Sequence, residues 1–263
     1  MMIDVLFTPA DHLAAVEILP QSQVVVLDVI RATSTITTAL HHGARAVELF
    51  PSLDAARRAK AEGGANAVLA GETNCLKPED FDLGNSPREF VAEKIGGTTV
   101  LLATTNGTLA ASRATAGRKI FIASLLNASA TAEALLPEID SLNTLFFCAG
   151  THGKSSIEDV IGAGSILFHL LQATYRTNLP FTDNAWLAYH AFAAVRGPLA
   201  AALRLGAGGY NVIRAGLEED IDHCARLDAM PMVITLEPRT MSCTKSRITL
   251  RGNARLRTPE SPS

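Results

Sequence analysis

A three-layer α/β/α architecture, with a mainly parallel or mixed sheet and a helix-rich C-terminal section, is what the amino-acid sequence predicts. Two patterns carry that expectation. Over roughly the first half of the chain, short β-branched or aromatic runs alternate with amphipathic stretches of helical period. Such alternation builds β-α units whose sheet is covered on both faces. Residues 156–227 then turn Ala/Leu-rich and nearly strand-free, with Gly206, Gly208 and Gly209 as punctuation.

In chain order, residues 24–30 (VVVLDVI) form the first strand-like run and lead into TSTITTALHHG, the start of a helix. Residues 46–50, 67–70, 99–103, 119–124 and 142–148 repeat the strand signature, in the short apolar form of buried parallel strands. Residues 53–62 and 129–136 carry helical periodicity between them. Residues 232–236 supply one last strand, so residues 1–243 read as a single domain. From residue 244 the chain turns basic and then Pro/Ser-rich, the composition of a solvated tail.

Composition excludes several functions. With 48% hydrophobic and 19% charged residues, the chain has the balance of an ordinary globular protein. A net charge of −3 and no long basic run argue against nucleic acid as a partner. No apolar run approaches the ~20 residues of a membrane span. The N-terminus has Asp4 and no basic region, unlike a signal peptide. Cys75, Cys148, Cys224 and Cys243 are scattered, which suits reduced thiols and a cytoplasmic address. The Ala/Leu-rich helices would permit a homodimer.

Polar residues gather where the strands end. Asp28 interrupts an apolar run, and an ionisable group there must be paired or solvated. It reads either as a strand-end residue bonded to a nearby N–H or as a carboxylate for a hard metal or an acyl-phosphate. Function is favoured. Arg31, Thr33, Ser34 and Thr35 follow at a helix start, where N–H groups, hydroxyls and a guanidinium suit an oxyanion. Glu72 and Asn74 follow the third run, in a long loop that also holds Asp82, Asn85 and Ser86. Thr104, Thr105, Asn106, Gly107 and Thr108 form a candidate phosphate cradle, although an N-cap turn is the better explanation of that loop taken alone. Glu158 and Asp159 start a helix after Lys154, and Ser156 with Asp159 also fits a capping box. In an open α/β sheet the loops after the strands share one edge, so these segments can converge on one ligand.

Together VVLDVIRATST, GETNCLKPEDFDLGNSP, LATTNGT, CAGTHGKSSIEDVIGAG and EEDIDHCARLD resemble the 2-phosphosulfolactate phosphatase family of coenzyme M biosynthesis, in family order over most of the chain. The glycine-rich stretch 204–211 and the basic tail depart from the family pattern. The resemblance implies a three-layer fold and Mg²⁺-dependent hydrolysis of (2R)-2-phospho-3-sulfolactate, a small phosphorylated acid. On that reading Asp28, Glu158 and Asp159 are the metal ligands, and Arg31 with the 33–35 and 104–108 groups holds phosphate. Lys154, His152 or the loop around Asn85 and Ser86 would then meet the sulfonate. Two other readings compete. A haloacid-dehalogenase-type phosphatase needs D-x-D, but position 30 is Ile. A non-catalytic anion-binding protein has little use for a carboxylate beside its ligand. Hydrolysis of another small phosphorylated acid is the nearest alternative.

Overall fold

The structure, a computed structural model, describes residues 1–63, 66–174 and 178–246. Among these residues, nine strands form one mixed sheet: β1 (Ile3–Leu6), β2 (Ser22–Leu27), β3 (Ala46–Phe50), β4 (Ala67–Gly71), β5 (Thr99–Ala103), β6 (Lys119–Ala123), β7 (Asn143–Cys148), β8 (Val233–Glu237) and β9 (Ser242–Ser246). Their spatial order is β1-β7-β2-β6-β8-β9-β3-β5-β4. Two parallel groups, β1-β7-β2-β6 and β3-β5-β4, flank the antiparallel hairpin β8–β9. The predicted α/β architecture with a helical C-terminal section is what the chain adopts.

Helices α1 (Pro9–Ala14), α2 (Ala32–His41), α3 (Leu53–Gly63), α4 (Ala92–Ile95) and α5 (Gly107–Arg113) fall between the early strands. The later chain supplies α6 (Ala128–Leu135), α7 (Ile157–Thr174), α8 (Asp183–Val195), α9 (Leu199–Arg204), α10 (Ala207–Arg214) and α11 (Glu219–Cys224). The pleat sorts the core. Val24 and Val26 of β2 join Ile122 and Phe147 under α2 and α5, while Val25 and Leu27 join Phe146 under α7 and α8. A full strand interior of this kind is apolar on both faces, which is why β2 reads as a continuous run. Leu69, Leu101 and Ala103 make a smaller core with Ala56 of α3. Among the described residues, no helix is long and apolar enough to cross a membrane.

Two short strands depart from the expected set. β1 was not expected, and it pairs with β7 at the sheet edge. β9 (SCTKS) buries only Cys243, so its sequence carries no apolar signal. It nevertheless runs through Ser246, taking residues 244–246 out of the expected tail and into the sheet. Residues 247–263 of that expected tail lie outside the described residues.

Candidate active site

The ends of β2, β4, β5 and β7 converge on one cleft. β2 stops at Leu27, so Asp28 follows the strand and does not interrupt it. Its backbone is locked to α2: Asp28 N–H donates to Thr33 Oγ1 (3.1 Å), and Thr33 Oγ1 donates back to the Asp28 carbonyl (2.9 Å). The buried carboxylate is left to face the cleft. Its Oδ1 accepts from the Ala32 N–H at 3.4 Å, and its Oδ2 lies against the start of α5. A Cβ on Gly107 would sit 2.8 Å from Asp28 Oδ2 and 2.6 Å from Ala32 Cβ. Only glycine admits that approach.

Ser34 donates its hydroxyl to the Val29 carbonyl (2.8 Å), and Thr35 to the Asn85 carbonyl (2.9 Å). The three hydroxyls at 33–35 therefore fasten α2 to its own loop and to residue 85. None of the three residues lines the cleft.

Glu158 and Asp159 open α7, and both are buried. Asp159 takes the Val29 N–H on Oδ1 (2.8 Å) and the Gly150 N–H on Oδ2 (3.0 Å). It ties the loop after β7 to the loop after β2, and does not form the capping box that its spacing from Ser156 allows. Ser156 pairs with Thr151 (Oγ–Oγ1, 2.7 Å). Glu158 Oε1 accepts from the Gly208 N–H at 2.9 Å, while Oε2 is buried with no hydrogen bond of normal geometry, the Ser156 hydroxyl and the residue's own N–H being the polar groups near the carboxylate. Cβ atoms on Gly206 and Gly208 would each stand 2.1 Å from a Glu158 carboxylate oxygen. Those glycines make the room for Glu158, more than punctuating a helical segment.

Burial dominates the electrostatics here. It lifts the Asp28 carboxyl to about 7, with Glu72 and Glu158 adding repulsion. Burial raises Glu158 as well, and it drives Asp159 well up together with the charges of Asp28 and Glu158. Among the described residues, no three His, Cys, Asp or Glu side chains are grouped to hold a metal by themselves. With both Asp159 oxygens committed, the donors that fit a hard cation are Asp28 and the unpartnered Glu158 Oε2. Two carboxylates completed by substrate phosphate are a common magnesium donor set.

Arg31, the residue before α2, is buried beside them. Its Nη1 donates to Asp220 Oδ2 at 2.7 Å and its Nη2 to the Cys75 carbonyl at 3.0 Å. Asp220, fully buried on α11, also accepts from Ser86 Oγ at 2.5 Å. Nothing local in the sequence marks Asp220, because a carboxylate among the six acids and bases of EEDIDHCAR looks solvated until the fold brings Arg31 to it.

The cleft encloses about 400 Å³. Of the predicted residues, Asp28, Arg31, Glu72, Asn74, Asn85 and the 104–106 segment line it. Glu72 holds two of its loops together, accepting from the Cys75 N–H (2.8 Å) and from Thr105 Oγ1 (3.1 Å). Asn85 Oδ1 is buried and unpartnered. Ser86, Gly107, Thr108, Glu158 and Asp159 lie outside the lining. Thr108 meets Thr104 hydroxyl to hydroxyl at 3.2 Å. Lys154 does not reach the cleft either: it is exposed, and its backbone closes a tight turn with Thr151. His152, at the tip of that turn, does line it. Asp82 pairs with Lys60 and the Leu69 N–H instead. Asn211 and Arg214 of α10 complete the wall, and no local motif marks them.

Comparison with known proteins finds the family that the sequence resembles. A family model described as 2-phosphosulpholactate phosphatase matches residues 8–239. A probable 2-phosphosulfolactate phosphatase of Thermotoga petrophila is 37% identical over 235 residues, 89% of this chain and 95% of the relative. One from Thermus thermophilus is 37% identical over 240 residues, 91% and 95% of the two chains. One from Clostridium botulinum is 33% identical over 237 residues, 88% and 96%.

Proposed function

Because the chain belongs to the 2-phosphosulpholactate phosphatase family, we propose that it hydrolyses (2R)-2-phospho-3-sulfolactate to 3-sulfolactate and phosphate, with Mg²⁺, in the cytoplasm. The observation that carries this reading is the buried carboxylate group beside the cleft: Asp28 with Glu158 behind it, both pushed toward protonation by burial, next to the buried Arg31. Carboxylates so placed oppose a phosphate unless a cation stands between.

Asp28 and Glu158 Oε2 would hold that cation, which when bound supplies positive charge at the phosphate oxygens. Asp159 keeps the two loops in register through Val29 and Gly150. Arg31, fixed by Asp220, presents its guanidinium to the phosphate from the cleft wall. Thr104, Thr105 and Asn106 offer further donors where β5 ends. In the reaction a water oxygen bonds to phosphorus, the ester P–O bond breaks, and the departing alcohol oxygen takes a proton. Preorganised charge around the transferred group is where such catalysis gains most.

The test is phosphate release from a panel of phosphorylated hydroxy acids, after EDTA treatment and after return of metal. We expect activity to vanish with EDTA and to return with Mg²⁺ more fully than with Zn²⁺, as oxygen donors favour the harder ion. Full turnover by metal-stripped protein would remove the metal from the proposal. Hydrolysis only of esters without a sulfonate would leave the phosphatase and change its substrate.

A further inference from the structure

We propose that Arg214 is the residue that selects for a second acid group on the substrate, and that it does so from the α10 wall of the cleft. This rests on the phosphatase reading above, since it takes the phosphate to lie beside Asp28 and Arg31.

A phosphorylated sulfo acid brings two anionic groups besides its phosphate, and each needs a donor of opposite charge when it leaves water. Arg31 is already committed. Its guanidinium is matched by the fully buried Asp220 at 2.7 Å and shared with the Cys75 carbonyl. Asp28 and Glu72 add further negative charge to the lining. Among the described residues, Arg214 is the arginine on the cleft wall with no carboxylate in salt-bridge range. Its neighbours behave differently. Arg204 on α9 is held by Glu218 and Asp222 at 3.0 Å, and Arg88 is paired with Glu219. Of the two arginines that line the cleft, Arg31 is matched by Asp220 and Arg214 is left open.

Its position suits a substituent beyond the phosphate. The Gly208 N–H bonds Glu158 at 2.9 Å, which fixes the start of α10 beside the carboxylates. Arg214 follows at the last turn, roughly 9 Å farther along the helix axis. A small acid and an arginine side chain together span that gap. Arg214 is exposed, and its guanidinium carbon lies 5.7 Å from the ring centroid of Tyr210, one turn earlier and itself exposed off the lining, so the side chain rests at the rim of the cleft. Of the side chains that sequence offers for this duty, Lys154 lies off the wall, while His152 lines it without the permanent charge of an arginine.

The experiment compares the Mg²⁺-loaded wild type with Arg214→Gln and Arg214→Lys on three esters: 2-phospho-3-sulfolactate, 2-phospholactate and isopropyl phosphate. They carry two, one and no acid groups beyond the phosphate. For Arg214→Gln we expect kcat/KM to fall about 10- to 100-fold on the sulfo ester, mainly through KM, and progressively less on the other two. Arg214→Lys should recover part of the loss, since it keeps charge but not the planar fork. Equal losses on all three esters, or no loss on any, would overturn the proposal. Calorimetric binding of 3-sulfolactate to wild type and Arg214→Gln separates this from failure of the phosphatase reading. If no ester is hydrolysed but the product binds the wild type at least about 10-fold more tightly, the subsite stands and the reaction falls. Equal binding by both proteins sinks the subsite.

Discussion

Asp28→Asn should make the protein more stable while removing its activity. The carboxyl rises from its ordinary 3.8 to about 7 in the fold, chiefly through burial, with Glu72 and Glu158 adding repulsion. The sign follows from linkage. Between pH 4 and 7 the unfolded chain has lost this proton and the native chain has kept it, so stability falls as pH rises through that window. Above about pH 7 the loss is complete. The whole shift corresponds to about 4 kcal/mol. Glu158 and Asp159, likewise raised by burial, share in the protonation, so the part relieved by one neutral amide is on the order of 1–2 kcal/mol. In a chain of this size that is roughly 2–6 °C in melting temperature. The assay is thermal unfolding of both proteins in EDTA across pH 4 to 8. The variant's advantage should be small at pH 4, grow through pH 7 and then level off. A variant less stable than wild type at pH 8 would refute the reasoning, and would make Asp28 a structural strand-end group. Adding Mg²⁺ should raise the wild-type midpoint and leave the variant nearly unmoved, because ligands stabilise only a state that binds them.

Two packing predictions follow from the same site. Asp220→Ala leaves the Arg31 guanidinium buried without its counter-charge and should cost about 3–5 kcal/mol in denaturant unfolding. A loss below about 1 kcal/mol would mean that Arg31 finds water or another partner. Gly208→Ala places a Cβ 2.1 Å from Glu158 Oε1 and should destabilise by about 1–3 kcal/mol. Combined with Glu158→Ala, its cost should be well below the sum of the single changes, and strict additivity would show that the two residues do not press on each other.

Much of the scaffold is legible residue by residue. Residues 99–103 match β5 because a buried parallel strand leaves a nearly continuous apolar run, and residues 46–50 match β3 although Glu48 breaks theirs and only Val47 and Leu49 are buried. β1 escapes notice since IDVL is short and includes Asp4, and β9 since its five residues are mostly polar. At the site, Asp28 and Arg31 announce themselves as charged residues around a helix start, and both line the cleft. Roles set by distant packing do not announce themselves. Gly206 and Gly208 read as helix punctuation until Glu158, about 50 positions away, occupies the space that their missing side chains leave. Asp220 is one acid among several until Arg31, 189 positions earlier, is found against it. The hydroxyls of Thr33, Ser34 and Thr35 look like a phosphate cradle, but backbone carbonyls claim them first.

Phosphate release from 2-phospho-3-sulfolactate, measured for wild type and Asp28→Asn side by side at saturating Mg²⁺, tests the proposed chemistry most directly. The expected result is Mg²⁺-dependent turnover by the wild type and a kcat at least ~10³-fold lower in the folded variant, the scale of losing a principal electrostatic group. Near-equal turnover by the two proteins would contradict the placement of the reaction at Asp28.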